Sequence, residues 1–185
     1  MNYDLPKTLC VNGREEPIRW EYTAILDAIS ALNDPELEKA QKLYAALYII
    51  YENFADFKAE DLQSAWDSAT EFINGDVDDD VKSNVKTIDF EQDFRVMIPA
   101  INKVAGREIR GEDNIHWWTF IGWLMEIGEC TYSTVLTIRT KLSKGKKLEN
   151  YERDFYNANK RLVDIKPKLT EQEKADEEWL NNFLR

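Results

Sequence analysis

The run Ile115-His116-Trp117-Trp118-Thr119-Phe120-Ile121-Gly122-Trp123-Leu124-Met125-Glu126-Ile127 is apolar around almost a whole helical circumference. Only His116, Thr119, Gly122 and Glu126 interrupt it, and they form one narrow polar line at helical spacing. A helix apolar nearly all round belongs at the centre of a bundle, so this segment is expected to be the hub. It is too short to cross a bilayer core of about 30 Å, and His116 and Glu126 break it. On this reading Trp118 and Trp123 fill the core, while Trp117 and Phe120 are candidates to line a groove for a partner.

Amphipathic helices are expected on both sides of the hub. Ile25, Leu26, Ile29 and Leu32 make one stripe, and Asp34-Pro35 reads as a helix start. Leu43, Leu47, Ile50 and Phe54 then share a face, with Tyr44, Tyr48 and Tyr51 beside it. A further helix is expected over residues 59–73, with Leu62, Trp66, Ala69 and Ile73 in register and Asn74-Gly75 ending it. Asp89 caps the next, with Gln92 as its capping-box partner. Phe90, Phe94, Met97, Ile101 and Val104 form that stripe, Pro99 should kink it, and Gly106 stops it. Val135, Ile138 and Leu142 mark another. Tyr151, Phe155, Ala158, Leu162 and Ile165 mark one more, ending before Pro167. Thr170-Glu171-Gln172-Glu173 is a full capping box ahead of Trp179, Leu180, Phe183 and Leu184.

The first twenty residues differ. Thr8 to Val11 and a run ending at Trp20 flank Asn12-Gly13, the pair favoured where both central turn residues need positive φ. The expected fold is therefore all-α, a helical bundle over residues 21–167, with a small β-hairpin over 1–20 packed on it and an amphipathic helix over 168–185. Seven glycines and five prolines leave few forced turns, and 43% hydrophobic content is enough for a core.

A net charge of −11 argues against general nucleic-acid affinity. The charge is bipolar: acidic from Glu52 to Asp93, basic from Arg139 to Lys168, and acidic again after Thr170. That pattern suits steered contact with a protein partner or with another copy. Residues 1–6 do not resemble a signal peptide, so an intracellular, soluble chain without membrane attachment is expected. Cys10 and Cys130 match no metal spacing. A disulfide is open on arithmetic, and two free, buried thiols are the preferred reading.

No catalytic machinery is visible. His116 is the sole histidine, without ligand partners at metal spacing or a nucleophile, and reads as a structural or capping residue. Asp76, Asp78 and Asp80 imitate a calcium loop, but Val81 and Thr87 stand where Gly and Glu belong. We expect no enzyme activity, no cofactor and no metal. The terminal helix is the better binding candidate, with Trp179, Leu180 and Phe183 on one side; it can dock on its own bundle or into another chain.

Three segments carry a resemblance: Ile88-Asp89-Phe90-Glu91-Gln92-Asp93-Phe94, then His116-Trp117-Trp118-Thr119-Phe120, then Ile138-Arg139-Thr140-Lys141-Leu142. With Leu5-Pro6 and the Asn12-Gly13 hairpin, they resemble the gene-product-fifteen family of siphophages of Gram-positive hosts, over roughly residues 5 to 165. Thr119 and Ile109-Arg110-Gly111 depart from that pattern. The resemblance implies a non-catalytic tail assembly chaperone, binding the tape-measure protein or other tail proteins in the host bacterial cytoplasm. It carries over no catalytic residue. The alternatives are a structural tail component retained in the virion, and a DNA-binding regulator using the basic stretch 139–168.

Overall fold

A computed structural model describes residues 4–75, 87–173 and 175–176. The expected fold class holds: the chain is mainly helical with a small antiparallel hairpin at its start. The acidic loop with Asp76, Asp78 and Asp80, and the segment holding Trp179, Leu180 and Phe183, lie outside the described residues. The described residues of Pro6–Ile73 and Lys166–Arg185 form one compact unit, and those of Met1–Leu5 and Asn74–Ile165 form the other.

In the first unit, β1 (Thr8–Val11) pairs with β2 (Arg14–Pro17), Val11 opposite Arg14. The turn is the expected one, with φ of 49° at Asn12 and 79° at Gly13. A hairpin this short needs a support. It comes from α3 (Leu62–Asn74) and the 3-10 turn Ala59–Asp61 ahead of it. Asn12 N–H donates to Ser64 Oγ (3.0 Å), Ser68 Oγ donates to the Cys10 carbonyl (2.6 Å), and the Asn12 amide donates to Asp61 Oδ1 (2.9 Å). Arg14 reaches the same carboxylate at 2.9 Å.

Close approach of the hairpin explains why α3 is turned relative to expectation. Ala65, Ala69 and Phe72 are buried, while Trp66 and Ile73 are only half-buried. Small side chains on this face let two backbones approach, and that outweighed the larger apolar area elsewhere.

The start of the next helix also moves. After α1 (Tyr22–Leu32), Asp34 Oδ1 accepts from Glu36 N–H (2.9 Å) in a turn, and α2 runs Lys39–Ile50. Gln41 accepts from Glu38 N–H (2.9 Å), so the cap is Glu38, four residues beyond Asp34. Arg19 closes the other end of α2, its Nη1 donating to the Tyr48, Ile49 and Tyr51 carbonyls at 3.1, 2.8 and 3.1 Å. Tyr51 is fully buried, and its hydroxyl donates to the Ala65 carbonyl (2.9 Å), tying α2 to α3.

The second unit contains α4 (Phe90–Ala105), α5 (Trp117–Met125), α6 (Thr131–Ser143), α7 (Asn150–Ala158) and α8 (Lys160–Val163). The helix α4 runs through Pro99 without interruption and ends at Gly106 (φ 69°). Asp89 caps it as expected, accepting from Glu91 and Gln92 N–H, but the return bond to Asp89 N–H comes from Asp93 Oδ2 (3.0 Å), not Gln92. The single helix expected across 151–165 is broken at Asn159.

Asp61 links the hairpin to pH. The Lys58 N–H first, then the Asn12 amide and Arg14, hold its carboxyl below the ordinary carboxylate range. A depressed pKa contributes stability above the unfolded value and loses it as pH falls through the folded one. The urea midpoint difference between the native chain and Asp61→Asn should be greatest near neutrality and shrink below about pH 4.

Candidate partner-binding surfaces

The helix α5 begins at His116, whose Nδ1 accepts from Trp118 N–H (3.0 Å). The lone histidine is thus a helix cap, and it is buried. Its neighbours reverse the expected roles. Trp117 and Phe120 stack at 5.7 Å and are buried with Leu124, at spacings of three and four residues. Phe90 meets the Trp117 ring edge-on at 5.9 Å. Trp117 and Phe120 therefore fill the core and do not line an open groove.

Trp118, expected inside, is 37% exposed, and Met125 on the same face is 73% exposed. Trp123 is half-buried. The helix is not an all-round hub. It has one buried face and one apolar face turned outward.

What fixes the neighbouring helices is a pair of charges. Asp93 on α4 and Arg139 on α6 meet at 2.7 and 2.8 Å with both side chains nearly inaccessible. The guanidinium has five N–H donors, and each finds an acceptor. Nε binds the Val163 carbonyl (2.6 Å), Nη1 binds the Thr87 carbonyl (3.0 Å) and Asp93, and Nη2 binds Asp93 and the Leu162 carbonyl (3.0 Å). Tyr132 adds its hydroxyl to Asp93 Oδ2 (3.1 Å), and burial above all pushes its own phenol pKa up. A second pair, Lys141 Nζ to Glu152 Oε1 at 2.6 Å, holds the first turn of α7 against the last turn of α6. It keeps Glu152 buried and leaves Tyr151, expected in the core, 67% exposed. Sequence reading missed both pairs because isolated charges carry no periodic signal; a charge inside an apolar helix face, as Asp93 is between Phe90 and Met97, was the available clue.

These bonds also remove Arg139 and Lys141 from the basic stretch considered for DNA, since both are spent inside the unit. Lys144, Lys146, Lys147, Arg153, Lys160 and Arg161 remain exposed. Neither cysteine is buried as expected: Cys10 is exposed and Cys130 half-buried, and both are free thiols. Among the described residues, no helix is long and apolar enough to cross a membrane.

In the other unit, Tyr44 and Tyr48 project from α2 with 60% and 61% exposure. Each stands edge-on to the buried Phe54 ring, at 4.9 and 6.3 Å. Of the expected contact residues beyond Trp117 and Phe120, Trp179, Leu180 and Phe183 fall outside the described residues. The start of their segment is placed: Thr170 and Glu173 form the expected box, and Glu171 N–H donates to the Glu36 carboxylate.

Fold and surface together define a mainly helical protein with aromatic side chains turned outward on helix faces. The family model described as Bacteriophage Gp15 protein matches residues 1–165, and the chain belongs to that family. It is a phage structural or morphogenesis protein, made in an infected host. The match spans all three segments that carried the resemblance, two of which meet at Asp93 and Arg139. No curated protein and no solved structure matches the chain.

Removing either member of the buried pair should be severe. Asp93→Ala and Arg139→Ala should each cost about 3–5 kcal/mol in urea unfolding, because each leaves a charge without its partner. Arg139→Lys should recover only part of that, since an ammonium has three donors and no planar fork. On α5, Trp117→Ala should cost about 3–5 kcal/mol and Trp118→Ala about 1 kcal/mol or less. Equal losses would contradict the burial of Trp117 and the exposure of Trp118.

Proposed function

We propose that the chain is a non-catalytic assembly chaperone that binds an apolar helical phage client, the tape-measure protein, during tail morphogenesis. The observation carrying this reading is the Tyr44–Tyr48 face of α2. Two tyrosines four residues apart lie on one side of a helix, are braced by Phe54, and remain open to solvent. Braced tyrosines make good anchors because they lose little conformational entropy on binding and offer both apolar area and a hydroxyl. An amphipathic helix is the matching partner, laying its apolar side across such a face.

The surroundings support a holding role. A long helical client exposes apolar surface before assembly, and aggregation is its hazard. A chain with net charge −11 would keep a complex with such a client dispersed. The family supports a role in building the particle, and the spending of Arg139 and Lys141 inside the fold counts against a DNA-binding regulator.

Co-expression with the tape-measure protein should keep that protein soluble. Tyr44→Ala/Tyr48→Ala should leave the fold within about 1 kcal/mol of native yet weaken client binding roughly tenfold to a hundredfold. A client that precipitates despite abundant native chain would sink the proposal. Recovery of the chain from purified particles by mass spectrometry would instead favour a retained structural component.

A further inference from the structure

The Asn74–Ile165 unit carries two apolar patches of opposite charge, one at each end of α6. Before its N-terminus lie Met125, 73% exposed, and the exposed carboxylates Glu126 and Glu129; Trp118 shares the outward face of α5, and Gly122 between them adds no side chain. At its C-terminal end lie Leu142 in the last turn, 43% exposed, and beyond it the exposed Tyr151, Lys144, Lys146 and Lys147. Glu126, Glu129, Lys144, Lys146 and Lys147 form no ion pair with another described residue, whereas Lys141 beside them is paired to Glu152. The thirteen residues of α6 hold the two ends about 20 Å apart. Each charge also complements the dipole of α6, so both ends keep their sign without a partner.

We infer that this unit associates head to tail with a second copy of the chain, the Met125–Glu126–Glu129 end of one copy seating on the Leu142–Lys146–Tyr151 end of the next. Charge complementarity selects the occupant. Like ends repel and unlike ends attract, and each offers apolar area to bury behind its charges. The alternative closed pair would lay two α6 helices side by side in opposite directions. That arrangement would bury the flank at Thr137, the exposed residue in the middle of α6, which is polar and offers little apolar area. The exposed apolar side chains lie at the ends, and an end-to-end contact between unlike patches is heterologous, so it repeats instead of stopping at two.

The test uses the full chain alone and does not depend on the chaperone reading. In sedimentation velocity at low salt, the native mass should rise with concentration beyond that of a dimer. Raising ionic strength from about 0.05 to about 0.5 M should weaken association by about tenfold or more, as screening shortens the reach of the charges. Glu126→Lys/Glu129→Lys makes both ends basic, and Lys146→Glu/Lys147→Glu makes both acidic. All four positions are exposed, and circular dichroism should confirm unchanged folding. Each variant alone should remain monomeric, while an equimolar mixture should associate again, because unlike ends then alternate. Any of three results overturns the inference: a native chain that stays monomeric or stops at a dimer, single variants that associate like native, or a mixture that fails to recover.

Discussion

Asp93 and Arg139 impose the constraint on which the rest of the second unit depends. Removing two charges from water is costly, and their attraction offsets that cost only when every donor and lone pair is used. Here the guanidinium satisfies two carboxylate oxygens and three backbone carbonyls, while the carboxylate also takes the Tyr132 hydroxyl and the Asp89 N–H. The pair thereby joins the start of α4, the middle of α6, the end of α8 and the Thr87 backbone at one point. An apolar contact there would tolerate sliding by a residue. A planar fork with five assigned acceptors does not, so the pair specifies register more than it adds net stability.

That constraint decides what remains outside. With α6 clamped by Arg139 on one side and its last turn held to α7 by Lys141 and Glu152, its exposed flank is the polar one at Thr137, and the exposed apolar side chains lie toward its ends. The same two bonds sort the basic residues into internal and external sets. Arg139 and Lys141 are structural, while Lys144, Lys146 and Lys147 face solvent. Counting cations along the chain cannot make this distinction: the basic stretch supplies two bonds inside the unit and a cluster of exposed lysines beyond α6.

Much of the architecture was legible in the sequence because helix starts and stops are local. The Asn12-Gly13 turn, the Asp89 cap, the Gly106 stop and the Thr170–Glu173 box all depend on residues within a few positions of each other. The buried faces were less legible because burial is decided by the partner. On α3 the hairpin selected Ala65 and Ala69 over Trp66, and on α7 Lys141 drew Glu152 inward and turned Tyr151 out. On α5 apolar character did not imply burial, since more than half of a folded surface is ordinarily apolar. The capping role of His116 was legible because it stands directly before the apolar run.

The outward apolar and aromatic residues gain a different sense from their distribution. Tyr44 and Tyr48 belong to the unit built around the hairpin, whereas Trp118, Met125, Leu142 and Tyr151 belong to the unit built around Arg139. Client binding and self-association, as proposed, thus rest on different elements and can be separated by substitution. In a head-to-tail row each link is small and charge-assisted, so a single link is weak. A client long enough to touch several Tyr44–Tyr48 faces would still be held firmly, because each contact raises the effective concentration for the next. Release would then need only one face to be displaced at a time. A holder that must later surrender its client is better built from many weak contacts than from one strong one.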